Sequence, residues 1–160
     1  MRSRFGVLLP MPIIAFAADH AGVAYKAMLI EEVQGLGLGV LDLGPADEAS
    51  VDYPDYGAKL AEAIAEGRAT LGVAICGSGI GIAIAANRNP AVRAAVCTSG
   101  LMARLARQHN DANVLALGSR IIGPDTARDC LSQFLAARFA GGRHAGRVAK
   151  LTPGYQETPE

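Results

Sequence analysis

The chain has 160 residues, of which 51% are hydrophobic and 19% charged, with 15 basic and 15 acidic side chains. That length suits one domain with a sizeable core, and apolar residues spread along the whole chain exclude a disordered one. No 18-residue uninterrupted apolar run occurs, which argues against a membrane span.

The zero net charge conceals a division. Residues 1–67 carry four basic and ten acidic side chains, whereas residues 68–156 carry eleven and three. Arginine outnumbers lysine twelve to three, which favours bidentate contacts to carboxylate or phosphate over a diffuse basic surface. Without long like-charge blocks, Trp or many aromatics, the chain is a poor nucleic-acid binder. Cys76, Cys97 and Cys130 form no CxxC pair, and an odd, widely spaced set fits a reducing, cytoplasmic setting.

In chain order, Arg2 and Arg4 precede an apolar run from Phe5 to Ala18, and Ala15-Phe16-Ala17 resembles a signal-peptidase site. Pro10 and Pro12 interrupt that run, however, and Ile13–Ala18 reads as a buried first strand that the rest of the chain requires. Residues 1–12 are then an extension. Val23–Leu36 is a predicted helix stopped by Gly35 and Gly37, and Val40–Leu43 a short strand. Asp52-Tyr53-Pro54 starts a helix to about Glu66, with Gly67 past its end. Leu71–Ile75 is a strand, Gly77–Gly81 a glycine loop, and Ile82–Asn87 a short helix. Val92–Val96 and Val114–Leu117 are strands flanking a helix over Leu101–Gln108. Pro124–Phe139 reads as a long helix ended by Gly141-Gly142, Arg143–Leu151 as a terminal helix, and Thr152–Glu160 as a frayed tail.

Five short apolar runs separated by helices predict a three-layer α/β/α, Rossmann-like domain over residues 13–151 with a five-stranded parallel sheet. In such sheets ligands bind beyond the carboxyl ends of the strands. Several polar clusters fall at strand or helix ends: Asp19-His20, Asp52-Tyr53, Cys76 to Gly81, His109-Asn110-Asp111, Ser119-Arg120 and Gly142-Arg143-His144. A lone histidine is usually a structural or surface residue. Here all three lie beside Asp, Asn or Arg, which marks them as candidates.

The loop Cys76-Gly77-Ser78-Gly79-Ile80-Gly81 offers several backbone N–H groups at a helix start, a cradle for phosphate or a developing oxyanion. It matches no nucleotide motif. Ile82 stands where a P-loop needs lysine, where a dinucleotide fingerprint needs its third glycine, and where a cysteine phosphatase needs arginine. A free cysteine is usually a small buried hydrophobe, but thiols ahead of a helix N-terminus ionise more readily, so Cys76 is a candidate base or nucleophile. Cys97 and Cys130 lack that setting and read as packing residues.

These segments together resemble the sugar-phosphate isomerase family of type B ribose-5-phosphate isomerases and galactose-6-phosphate isomerase subunits. The resemblance rests on Ala18-Asp19-His20-Ala21-Gly22, Asp52-Tyr53-Pro54, the Cys76–Gly81 loop with Ala85-Ala86-Asn87, and Arg107-Gln108-His109-Asn110-Asp111. Asn113 to Ala116 with Gly118-Ser119-Arg120, and Gly141 to His144 with Arg147, complete the set. It implies an aldose–ketose isomerisation, foremost D-ribose 5-phosphate to D-ribulose 5-phosphate, through a cis-enediolate and without metal or organic cofactor.

By the same resemblance, Cys76 is the base moving a proton between C2 and C1, and Ser78 relays a hydroxyl proton. The N–H groups of Gly77, Gly79 and Gly81 stabilise the enediolate, and His109 with Asp19 assists ring opening. His20, Arg120, Arg143 and Arg147 hold the phosphate, with Tyr53 and Asn110 as further contacts. The resemblance also implies a homodimer, or a tetramer, with each site shared between subunits. Some members carry a glutamate just after the last loop glycine, and Ile82 there favours the cysteine variant. Ser99-Gly100-Leu101-Met102 departs from the aromatic pattern usual in the family, which leaves allose 6-phosphate and galactose 6-phosphate as alternative substrates. Two rival readings are a metal-dependent hydrolase built on the histidines and a non-catalytic sugar-phosphate binder.

Overall fold

Ile13–Ala18 forms β1, and five of its six residues are buried. The computed structural model describes residues 11–157, so the expected extension, apart from residues 11 and 12, and the last three tail residues lie outside it. A 3-10 turn (His20–Gly22) leads into α1 (Val23–Gly35), followed by β2 (Gly39–Asp42), α2 (Tyr53–Ala65), β3 (Leu71–Cys76) and α3 (Ile80–Ala86). β4 (Ala94–Val96), α4 (Gly100–Asn110), β5 (Val114–Gly118), α5 (Pro124–Ala136) and α6 (Arg143–Ala149) complete the order. The five strands are parallel and ordered β2-β1-β3-β5-β4. This is the expected sheet.

Its two faces differ in side-chain size. Ile14, Phe16, Val73, Ile75, Leu115 and Leu117 meet Leu29 and Val33 of α1, Ala103 and Ala106 of α4, and Leu131 and Phe134 of α5. The other face shows Ala15, Ala17, Ala74, Cys76 and Ala116, over which Leu60 of α2 and Ile82 of α3 pack. Small residues let those helices sit close. A Cβ on Gly57 would lie 2.7 Å from the Ala85 methyl, so α2 and α3 touch where glycine removes the side chain.

Both expected glycine stops operate by one mechanism. Beyond α1, Gly37 at φ +74° donates to the Gln34 carbonyl, and Leu38 N–H returns to Val33 O at 3.3 Å. Gly67 at φ +71° ends α2 with the same pair of bonds to Ile64 and Ala63. One helix end is corrected. α5 stops at Ala136, because Ala137 turns to extended backbone (ψ 154°) and Ala140 N–H bonds Gln108 O of α4 at 2.9 Å. Gly141 and Gly142, both at positive φ, lead into α6 instead of ending α5. No helix among the described residues is long and apolar enough to cross a membrane.

Candidate active site

The strand order changes direction between β1 and β3, since the chain runs outward from β1 to β2 and then crosses to β3 on the other side. At such a switch point the loops leaving the two strands part and open a crevice. Ala18 pairs in register with Ile75, so Asp19 and Cys76 leave adjacent strand ends. Asp19 N–H donates to Ile75 O at 3.0 Å, and its buried carboxylate accepts from Ala21 N–H at 2.9 Å.

Cys76 ends β3 with a free, buried thiol. Gly79 N–H donates to its Sγ at 3.1 Å, a contact that negative charge on sulfur strengthens. Gly79 reaches it through a left-handed backbone, φ +78°, against the Leu117–Gly118 peptide. Ser78 Oγ accepts from Ile80 N–H at 3.2 Å at the start of α3. The loop after β5 closes over this one: Ser119 N–H bonds Cys76 O, Arg120 N–H bonds Gly77 O, and Ser119 Oγ donates to Ala21 O at 2.7 Å. The Arg120 guanidinium lies against Gly77, where a Cβ would be 3.2 Å from Nη1. Tyr53, half-exposed at the start of α2, lays its ring on Gly81, where a Cβ would be 2.7 Å from Cε2.

His20 follows Asp19, and the Val51 backbone holds its Nδ1. Val51 N–H donates to the bare nitrogen at 3.3 Å, or the protonated one donates to Val51 O at 3.2 Å. Either tautomer leaves Nε2 for a ligand. One strand end thus gathers Asp19, His20, Tyr53, Cys76, Ser78, the loop glycines and Arg120.

His109, Asn110, Arg143 and Arg147 lie elsewhere. α4 runs back along the sheet from the end of β4, so its last turn reaches the opposite, amino-terminal edge, about 16 Å away. There Arg93 and Arg107 share the Asp111 carboxylate at 3.2 and 3.0 Å, and Arg93 Nε also donates to Asn110 O. α6 packs on α4 and exposes Arg143 and Arg147, one helical turn apart. Within one chain, then, Asp19 is not beside His109, and the expected set divides into two clusters.

A family model described as Ribose/Galactose Isomerase matches residues 14–151. The chain belongs to the ribose/galactose isomerase family. Within it, ribose-5-phosphate isomerase B of Escherichia coli (strain K12) is 42% identical over 142 residues, 89% of this chain and 95% of the relative. The solved ribose-5-phosphate isomerase B of Clostridium thermocellum has a TM-score of 0.86 at 49% identity, covering 87% of this chain and 94% of that one. The Mycoplasma genitalium ribose-5-phosphate isomerase B, solved with bound ribulose 5-phosphate, has a TM-score of 0.82 at 39% identity and covers 87% and 93%.

The sequence marks His144 as a candidate without assigning it a role, and its ring stacks on His109 with centroids 4.3 Å apart and planes 11° from parallel. Burial, then the neighbouring His109, Arg143 and Arg147 charges, hold its pKa below the usual imidazole value. The Gly141-Gly142 pair ahead of it was the available signal, since two glycines preceding a histidine permit a sharp return of the chain. Cys97 and Cys130 are pure packing residues. Burial raises Cys97 to about 12, helped by the nearby Cys130, and raises Cys130 to about 11. Within one chain the histidines do not converge either, because His20 sits at one end of the sheet and the stacked pair is reached through α4 and α6. Among the described residues, no three His, Cys, Asp or Glu side chains form a metal-binding group.

Proposed function

We propose that this chain is an aldose–ketose isomerase interconverting D-ribose 5-phosphate and D-ribulose 5-phosphate in the cytoplasm, with residues 13–151 as its single catalytic domain. The observation that carries the chemistry is the Cys76 thiol, faced by the Gly79 N–H inside a glycine cradle at the switch point. Proton transfer next to a carbonyl needs a positioned base, donors for the enediolate oxygens and an anchor for the remote phosphate.

Cys76 thiolate takes the C2 proton as the C1 aldehyde becomes the enediolate, and returns it to C1 as the C2 ketone forms. Ser78 relays the proton that moves between the two hydroxyl oxygens. The N–H groups from Gly77 to Gly81 receive the negative charge. His20, Arg120, Arg143 and Arg147 bind the phosphate, with Tyr53 and Asn110 against the sugar. Before that, His109 and Asp19 move the anomeric hydroxyl proton to the ring oxygen as the C1–O bond breaks.

The division into two clusters supports a site shared between subunits of a homodimer. Asp19, Cys76 and the glycine loop come from one copy, and His109, Asn110, Arg143 and Arg147 from its partner. A basic cluster meeting the Asp19–His20 loop would also favour docking. The reading calls for no metal or organic cofactor, so chelator-treated enzyme keeps its turnover.

Subunit mixing tests the whole assignment. Cys76→Ala and His109→Ala homodimers should each lose most ribose 5-phosphate turnover, but a mixed dimer has one site with both residues intact. Equal mixing after reversible dissociation restores about a quarter of wild-type activity when the site is shared. Two impaired parents that regain nothing while forming mixed dimers would refute sharing. Full activity in Cys76→Ala would remove the base.

A further inference from the structure

We propose that His144 is a positioning residue, whose imidazole fixes the ring plane of His109 for ring opening. This rests on the function proposed above. Among the described residues no side-chain hydrogen bond orients either ring, and the 4.3 Å stack restrains the plane of His109. An imidazole at the last turn of a helix otherwise rotates broadly about its second side-chain torsion. A face-to-face neighbour removes that freedom and leaves both ring nitrogens of His109 at the rim, open to the sugar.

The backbone is shaped to make this contact. Ala140 N–H bonds Gln108 O at 2.9 Å, which ties the incoming segment to α4 one residue before His109. Gly141 (φ +63°) and Gly142 (φ +55°) then turn the chain, and His144 N–H closes the first turn onto Gly141 O at 3.0 Å. His144 therefore sits on the anchored first turn of α6, with Arg143 and Arg147 on the same short helix. One element thus carries the phosphate contacts and the orienting ring, so substrate binding and His109 orientation are set together.

The test separates ring opening from proton transfer. Ribulose 5-phosphate is acyclic, because the hydroxyl that would close a furanose on its carbonyl carries the phosphate. Solvent deuterium exchange at its C1 therefore reports the enediolate step alone. We expect His144→Ala to lower kcat for ribose 5-phosphate about tenfold, by loss of orientation, with KM within about twofold. C1 exchange should stay within about twofold of wild type, and His144→Phe, which keeps a flat stacking ring, should recover most of the lost kcat.

Equal loss of exchange and conversion in His144→Ala would overturn the inference in favour of a structural or phosphate-site role. A His144→Phe variant no better than His144→Ala would overturn it as well, since stacking would then not matter. His109→Ala keeps the two levels apart. If it leaves conversion unchanged, the ring-opening assignment itself fails; if it slows conversion and His144→Ala does not, only the positioning role fails.

Discussion

Gly79 lies so close to Leu117 that a Cβ on it would stand 2.8 Å from the Leu117 carbonyl carbon. Two independent constraints meet there, the contact with β5 and a φ of +78°. Gly79→Ala should cost about 2–4 kcal/mol, the sum of a left-handed backbone penalty and displacement of the loop. The same displacement carries the N–H away from Cys76 Sγ, so activity should fall by about a hundredfold in protein that is still folded. Urea denaturation paired with an isomerase assay below the transition reads both effects. A stable, active Gly79→Ala would mean that the cradle geometry is not required.

Lys26 is a buried ammonium, 4% exposed, and its Nζ meets Asp42 Oδ1 at 2.6 Å across α1 and β2. The same oxygen accepts Gly44 N–H at 2.9 Å. Asp42→Ala leaves the charge without its partner and should destabilise by about 2–3 kcal/mol, less than for a fully buried pair because Asp42 is half-exposed. Lys26→Met removes the charge as well and should cost less than Asp42→Ala. Equal losses in the two variants, by chemical denaturation, would rule out an unpaired charge as the cause.

The fold was legible because its signals are local. The alternation of short apolar runs with glycine-stopped helices produced the parallel sheet, and Gly37 and Gly67 end α1 and α2 as their positions imply. The Cys76 cradle was legible for the same reason, being one contiguous stretch from strand to helix. The strand order is not local. Nothing in the β2 and β3 runs says that they lie on opposite sides of β1, so the placement of Asp19 beside the Cys76 edge emerges only from the sheet. The separation of His109 from Asp19 was hidden likewise, since it follows from the direction of α4. The early end of α5 depends on the Ala140–Gln108 bond, a contact between segments more than 30 residues apart.

Cys97 and Cys130 give the stability curve an alkaline limb. Their native values, about 12 and about 11, lie above the ordinary thiol value of 9.0. The folded state therefore keeps protons that the unfolded chain loses. Both contributions are complete below about pH 9 and diminish as pH rises towards the folded values. A Cys97→Ala/Cys130→Ala protein should be less stable than wild type at pH 7, because methyl groups replace buried thiols. Its melting temperature should nevertheless fall less between pH 8.5 and 10.5. Thermal melts across that range compare the slopes, and parallel slopes would show that the two thiols ionise as readily in the fold as outside it.

Arg143 and Arg147 stand at i and i+4 on α6, both exposed and without a salt bridge to any carboxylate among the described residues. Two free guanidiniums one turn apart can meet a dianion, each with a forked pair of donors. Each replacement by alanine should therefore raise KM for ribose 5-phosphate about tenfold to a hundredfold, while folding stability changes by less than about 0.5 kcal/mol. Residual turnover of unphosphorylated ribose should be the same in wild type and in both variants, since that substrate offers the pair nothing to bind. Lysine at either position keeps the charge but not the fork, and should recover only part of the affinity. Steady-state kinetics with both sugars decides the matter: equal losses on ribose and ribose 5-phosphate would place the effect of Arg143 and Arg147 on the shape of α6 and not on the phosphate.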